Sequence, residues 1–148
     1  MALQTNYGDT QPAAVAGAPA TMIAAIDLSR NVEDAAGIAF GKPVQQGVTD
    51  KGIAAFAGGK FVGITMLDRS ATGTPTSPDG FPQRASAKVR VSGDVWVTAA
   101  AVVAAGDSVY LTEDGALTNA EDENTLLSGA RWDTSTTAPG QLAVLRLR

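Results

Sequence analysis

Short apolar runs that recur about every ten residues, each closed by a turn signal, set the strongest constraint on the fold of this chain. No run keeps the period of an amphipathic helix over several turns, whereas Lys88–Val91 alternates charged and apolar side chains as a half-buried strand does. Asp114-Gly115, set between two short apolar runs, has the signature of a β-hairpin. The pattern predicts roughly eight to ten short strands in one all-β domain, either a β-sandwich or a jelly-roll-like barrel.

Length and composition agree with one folded domain. The 148 residues suffice for a single core, and an apolar fraction of 45% excludes a wholly disordered chain. Aromatic residues make up only 5%, so we expect a core built from thin layers of small side chains. Sixteen glycines fit a fold with many tight turns.

The first twenty residues differ from the rest. They hold one charged side chain, Asp9, together with Pro12 and Pro19, and they show no periodic apolar pattern. Two interpretations stay open: a frayed terminus, or an extended arm that becomes ordered on a partner. We therefore divide the chain into an N-terminal arm, residues 1–20, and a β-rich domain, residues 21–148.

Four local predictions follow within the domain. Thr21–Ile26 is apolar enough to form the first strand, ended by the polar residues that follow. Pro43 interrupts the next apolar run and predicts an edge strand or a bulge near Lys42–Val44. Residues 70–83 carry three prolines and two glycines and predict a long surface loop, and Ser92–Asp94 predicts a break between two strands.

Several kinds of chemistry are excluded or disfavoured by the residues. The chain has no histidine and no cysteine, which removes a Ser-His-Asp triad, a cysteine nucleophile and a thiolate zinc site. Glu121–Glu123 lacks the ligand pattern of a calcium loop and is better interpreted as a solvated acidic turn. Gly58-Gly59-Lys60 is followed by Phe61, so the phosphate-loop spacing is not met. We expect no catalysis, no cofactor and no metal.

Charge and hydropathy restrict the partners. The formal net charge is −4 and the basic residues are scattered singly, so we expect no nucleic-acid partner. Ala99–Ala105 is the most apolar stretch and is far shorter than the ~20 residues of a membrane-spanning helix. Met1–Gln4 lacks the basic start of a signal peptide, and we expect synthesis in the cytoplasm.

A set of segments, in this order and spacing, resembles the capsid cement (decoration) proteins of tailed bacteriophages. The likeness runs from about Gly37 to the C-terminus, and these segments carry it: Ala36–Gly47, Phe61–Thr65 with Asp68-Arg69, Gly93–Val97, Ala105–Tyr110, Gly129–Asp133 and Leu142–Leu147. The resemblance implies a sandwich or jelly-roll protein on the exterior of the virion capsid, made in the cytoplasm of the bacterial host. The implied partner is the major capsid protein of an HK97-like shell. The resemblance also implies that the protein bridges neighbouring capsid subunits as a homo-oligomer, with a dimer favoured over a trimer.

Candidate contact residues come from three places. The arm, the predicted edge strand and the long loop supply them, and they are Tyr7, Pro12, Val15, Pro19, Lys42, Pro43, Val44 and Phe81. An exposed edge strand would also allow contact by strand addition. The alternative functions are a carbohydrate- or receptor-binding β module of the virion and a hydrolase that works through carboxylates alone.

Overall fold

The computed structural model describes residues 14–148, and these contain eleven strands and no helix. The strands are β1 (Ile26–Val32), β2 (Ile38–Ala39), β3 (Pro43–Gln46), β4 (Gly52–Ala55), β5 (Phe61–Thr65), β6 (Gly80–Phe81), β7 (Ser86–Thr98), β8 (Ser108–Leu111), β9 (Leu117–Thr118), β10 (Thr125–Trp132) and β11 (Leu142–Leu147). The predicted single all-β domain is confirmed. Across residues 14–148, no helix is long and apolar enough to cross a membrane.

The 13-residue strand β7 organises the sheet. Its first half pairs with β1 on one side and with β5 on the other, and its second half pairs with β11. The order β1-β4-β3-β5-β7 returns to β1, which closes a barrel-like ring. The β1–β4 pairing is parallel, and the other pairings of the ring are antiparallel.

The second half of the molecule continues from β7 through β11, β10 and β8 to β9. A parallel bridge between Ala99 and Leu117, with a 2.8 Å bond from the amide of Ala100 to the carbonyl of Leu117, brings β9 back beside the end of β7. The two halves of the sheet therefore share strand β7. A separate two-stranded ladder joins β2 to β6.

Alternating side chains fill two apolar clusters. The cluster of the first ring contains Val32, Ile38, Phe40, Val44, Ile53, Phe81, Ala87 and Val89. The larger cluster lies under the second half and includes the fully buried Trp132. Each buried Val, Leu or Ile contributes on the order of 1.5–3 kcal/mol, so these layers supply most of the driving force for folding.

Two local predictions were wrong, and a third was correct in one of its two alternatives. The first strand is Ile26–Val32, because residues 26–31 and not 21–25 face partners on β7. Lys42–Val44 is no edge, since β3 lies between β4 and β5 and its main chain is bonded on both sides, but the register of β3 against β5 shifts between Val44 and Gln45, in agreement with the predicted bulge. The predicted break at Ser92–Asp94 does not occur, because these residues lie inside the continuous strand β7, where Gly93 has a φ of 117°.

Candidate functional site

The segment that leads into β1 is fastened to the outside of β7. The amide of Gly17 donates to the carbonyl of Trp96 at 2.8 Å, and the amide of Trp96 donates to the carbonyl of Ala18 at 2.9 Å. On its other side, the carbonyl of Gly17 accepts from the amide of Leu67 at 2.8 Å. We call residues 17–19 the anchor. It takes the place of a short extra strand beside β7.

An apolar contact completes the anchor. Trp96 alternates along β7 with Val95 and Val97, which point into the core, so its indole lies on the opposite face of the sheet. It is nonetheless only 8% exposed, because Ala18 and Val144 pack against it. The anchor therefore covers an aromatic side chain that the sheet alone would leave facing solvent.

Two glycines allow the close approach. Gly17 has a φ of 86°, and a Cβ there would lie 2.9 Å from the amide nitrogens of Gly41 and Leu67. Gly41 has a φ of 71°, and its Cβ would lie 2.7 Å from the nitrogen of Gly17. Since both positions need a left-handed backbone and neither has room for a side chain, the sequence fixes the anchor by these two glycines.

A buried carboxylate holds the chain just after the anchor. The side chain of Asp94 is fully buried and accepts from Arg146 Nε at 2.7 Å, from Arg146 Nη2 at 2.8 Å and from the hydroxyl of Thr21 at 2.7 Å. Burial works to raise the pKa of Asp94, but the bonds from Arg146 and Thr21 outweigh it and hold that pKa below its usual 3.8. Thr21 is thus hydrogen-bonded to a buried carboxylate.

A second ion pair fixes the start of β1. Arg90 binds Asp27 in a bidentate way, with Nε–Oδ1 at 2.8 Å and Nη2–Oδ2 at 3.1 Å, and its Nη1 donates to the carbonyl of Asp94 at 2.6 Å. Lys88 lies 3.5 Å from the same carboxylate. The hydrogen bond from Arg90, foremost, lowers the pKa of Asp27. Both acids are therefore ionised and paired, which suits holding a structure in place and not proton transfer.

Between these fixed points lies a run of solvent-exposed residues. Residues 21–26, which we call the exposed segment, read Thr-Met-Ile-Ala-Ala-Ile, and each is classed as exposed. Met22 is 102% exposed, Ile26 58% and Ile23 42%. The segment passes so near β7 that a Cβ on Gly93 would lie 2.7 Å from the Cβ of Ala25. The exposed segment is therefore an apolar ridge. Thr21 at one end is bonded to Asp94, and Asp27 at the other end is bonded to Arg90.

An apolar groove of about 300 Å³ lies where β5, β7, β10 and the C-terminal residues meet. Phe61, Val62, Leu126 and Leu147 supply apolar walls, and Leu126 is 52% exposed. Arg148 also lines it. We call this surface the groove.

The sequence-predicted contact residues fall into three groups. Tyr7 and Pro12 lie outside the described residues. Val15 and Pro19 are exposed on either side of the buried part of the anchor, and Lys42 is exposed on the turn before β3.

The remaining predicted contact residues are buried. Pro43 and Val44 lie in β3, with Val44 fully buried, and Phe81 is 1% exposed and packs edge-on against Phe40 with ring centroids 5.2 Å apart. Core packing removes these three side chains from the surface of the chain. Strand addition at Lys42–Val44 is excluded as well, because β3 has a neighbour on each side.

Sequence reasoning missed the ion pairs and the ridge. In the sequence, Asp94 follows a glycine, the usual setting of a turn residue, and Arg90 and Arg146 are two of the singly scattered basic residues. One signal was present: Arg146 lies on the apolar alternation of Leu142 and Val144, where a charge needs a buried partner. Within the described part of the chain, no group of three or more acidic residues could hold a metal ion.

Comparisons with known proteins bear on this arrangement. The model of a family described as "Structural cement protein (E217 gp24/Pam3 gp6)" matches residues 3–148. A chain from the capsid of Myoviridae phage XM1 is similar in fold, with a TM-score of 0.70 and 17% identity over 100% of this chain and 98% of that chain. The head fiber gp8.5 N base of bacteriophage phi29 gives a TM-score of 0.47 and 13% identity over 84% of this chain and 95% of that one. No curated protein matches.

Proposed function

This chain belongs to the phage structural cement protein family, and we propose on that premise that it binds the outside of an icosahedral capsid and clamps neighbouring major capsid subunits. The match over residues 3–148 is the observation that carries the proposal. It gives the chain a structural role in the virion. The shell we propose is of the HK97-like type, and the protein is made in the cytoplasm of the bacterial host before it joins the particle.

The anchor supports a role for the N-terminal residues in this binding. The main chain of Gly17 and Ala18 is bonded to Trp96 and Leu67, so residues 1–13 precede a fixed point in the sequence. An arm that starts from a fixed point loses less freedom on binding than one that starts from a mobile linker. We propose that Tyr7 and Pro12, with the exposed Val15, Pro19 and Lys42, contact the shell, and that the buried Pro43, Val44 and Phe81 do not.

The energetics of clamping follow from mass action. A protein that binds two capsid subunits at once binds only the assembled shell, so its binding free energy stabilises that state against internal pressure. Repetition over symmetry-related sites lets modest contacts suffice for each copy. We propose that the protein acts as a homodimer, since twofold sites between capsid subunits favour a twofold partner.

We further propose that the protein is not an enzyme and works without cofactor, metal or nucleic acid. The paired states of Asp27 and Asp94 support this, because lowered pKa values are the reverse of what a carboxylate needs as a general acid. The scattered basic residues and the net charge of −4 support the exclusion of nucleic acid.

Co-sedimentation with shells of the source phage that lack the protein tests the proposal. We expect saturable binding at a fixed ratio to the capsid subunit, together with greater heat resistance of the shell. A variant lacking residues 1–13 keeps the anchor and should fold but bind more weakly. Failure of the full chain to bind mature shells, with binding to glycans or host receptors instead, would contradict the proposal and favour the receptor-binding alternative.

A further inference from the structure

We propose that Thr21 is a positioning residue that works as a latch: its hydroxyl fastens the exposed segment to the buried carboxylate of Asp94, and the segment detaches when this bond is lost while the rest of the domain stays folded. The latch is closed when Asp94 is ionised and opens when Asp94 is protonated. This inference goes beyond the proposed function, because it concerns the isolated protein and requires no shell.

The Thr21 hydroxyl links the interior of the protein to the main chain of the exposed segment. It donates to Asp94 Oδ2 at 2.7 Å and accepts from the amide of Ile23 at 3.4 Å. Thr21 itself is exposed and Asp94 is buried, so a single hydroxyl connects a solvent-facing turn to an internal charge. A hydrogen bond to an ionised acceptor is roughly twice as strong as one between neutral groups, which makes this bond the main tie of the segment at its first end.

Little else holds the segment between its two ends. Residues 22–25 are all exposed, and Ala25 passes close to Gly93. Within residues 14–148, residues 22–25 make no main-chain to main-chain hydrogen bond, and pairing with β7 starts only at Ile26. Ordering several residues costs conformational entropy, and few contacts remain to offset that cost once the latch is lost. Such a segment opens locally at a lower free energy than the whole domain.

The rest of the domain does not depend on this bond. When Thr21 leaves, Asp94 keeps its two bonds from Arg146, at 2.7 Å and 2.8 Å. The anchor on one side is held separately by its main-chain bonds to Trp96, and β1 on the other side is held by its pairing with β7. The exposed segment therefore lies between two fixed points and opens as a loop, without unfolding either neighbour.

Acid should open the latch. The charged groups packed around Asp94, from β1, β7, β11 and the residue after β10, are Asp27, Lys88, Arg90, Arg146 and Asp133. Burial works to raise the pKa of Asp94, but the bonds from Arg146 and Thr21 outweigh it and keep that pKa below its usual 3.8. The latch is therefore closed above this range and is lost as pH falls through the folded pKa, since a protonated carboxyl no longer offers Thr21 an ionised acceptor.

Site-directed spin labelling tests the latch, because the chain has no cysteine of its own. A nitroxide attached to Met22→Cys reports the motion of the exposed segment by electron paramagnetic resonance. Thr21→Val removes the hydroxyl and keeps the shape of the side chain, whereas Thr21→Ser keeps the hydroxyl. We expect the mobile fraction of the label to rise on the order of 10-fold with Thr21→Val and to stay unchanged with Thr21→Ser.

Val48→Cys is the matched labelling control. Val48 is 98% exposed on the turn between β3 and β4, outside the exposed segment. Its label should show the same motion with Thr21, Thr21→Val and Thr21→Ser. Circular dichroism should show that all three proteins are equally folded.

A pH series tests the link to Asp94. With Thr21 or Thr21→Ser, the mobile fraction at residue 22 should rise on acidification while the circular-dichroism signal persists. With Thr21→Val it should be high already at neutral pH. Asp27 at the other end of the segment still titrates in Thr21→Val, so the part of the acid response that this substitution abolishes belongs to Asp94.

Three results would overturn the inference. A label at residue 22 that is as immobile with Thr21→Val as with Thr21 would show that other contacts order the segment. An equal rise in the motion of the Val48→Cys label would mean a general loosening of the domain. An acid response that is the same with Thr21 and Thr21→Val would remove Asp94 from the latch. None of these measurements uses a shell, so failure of capsid binding would bear on the proposed function alone.

Discussion

The anchor and the exposed segment follow one another in the chain, are both rich in apolar residues, and have opposite fates. The anchor buries Ala18 and is bonded through its main chain to β7, whereas Met22 four residues later is fully exposed. The difference lies in what faces each of them. An outward-facing Trp96 and two glycines give the anchor a surface that covers it, whereas the exposed segment runs beside Gly93 of β7 with its large side chains facing solvent.

The comparison teaches that the exposed segment is positioned by its ends. Thr21 is bonded to Asp94, and Asp27 is bonded to Arg90, so both ends are tied to charged groups on β7. The ridge is therefore presented by an ion-pair framework that lies beneath it. Variants of the framework, of the anchor and of the ridge should have effects that decrease in that order.

The largest effect should come from Asp94→Ala. The substitution removes the buried carboxylate that Arg146 and Thr21 bind, and it leaves Arg146 with only the partly exposed Asp133 as a partner. We expect a loss of about 3 kcal/mol in the free energy of unfolding, measured by urea denaturation. Asp133→Asn is the control, since Asp133 is 30% exposed and contacts Arg146 at 3.2 Å, and it should cost less than about 1 kcal/mol. Equal losses in the two variants would show that the buried Asp94 contributes no more to the free energy of unfolding than the partly exposed Asp133.

The next effect should come from Gly17→Ala. The new Cβ would meet main-chain atoms of Gly41 and Leu67 at 2.9 Å in addition to the strain of a positive φ. Gly58→Ala is the matched control, because Gly58 has nearly the same φ, 85°, with nothing within 4 Å of its Cβ position. We expect about 1 kcal/mol for Gly58→Ala and roughly 2–3 kcal/mol for Gly17→Ala, with increased tryptophan exposure in the latter. Similar losses at both sites would mean that the anchor is not tightly packed.

A smaller effect should appear in the dependence of stability on pH. The folded pKa of Asp27 lies below its unfolded value of about 3.8, so the folded state binds fewer protons over that range. Its contribution is present above that unfolded pKa and is lost as pH falls through the folded pKa. Asp27→Asn should lower stability at neutral pH and flatten the loss below about pH 4 in chemical denaturation series. A variant whose curve falls as steeply as that of the unmodified protein would argue against the Arg90 pairing in solution.

The smallest effect on stability should come from Met22→Ser. Because Met22 touches so little of its own chain, the free energy of unfolding should stay within about 0.5 kcal/mol of the unmodified protein. A large loss of stability would indicate that Met22 packs within its own chain.

Much of the strand pattern was predictable from the sequence. The Asp114-Gly115 hairpin is confirmed, and the apolar runs at residues 125–133 and 141–148, which predict strands, contain β10 and β11. Their signals are local: a turn dipeptide or an alternation of side chains. Pairing partners are not local, so Pro43 alone cannot distinguish an edge strand from the bulge that β3 has inside the sheet. It leads the strand, a position where proline is tolerated.

The candidate site was less predictable, for a physical reason. The exposed segment has the composition of a buried strand, yet all six of its residues are exposed in the folded chain. Asp94 and Arg146 are 52 residues apart and meet because β7 and β11 pair at those two positions. Contacts set by register between distant strands leave no local pattern in a single sequence.

The clamping of capsid subunits is tested most directly by electron cryomicroscopy of shells to which the purified protein has been added back. The account predicts density on the outer surface in which each copy contacts two neighbouring major capsid subunits, with its N-terminal residues extending over one of them. Density confined to a single capsid subunit, or located inside the shell, would contradict it.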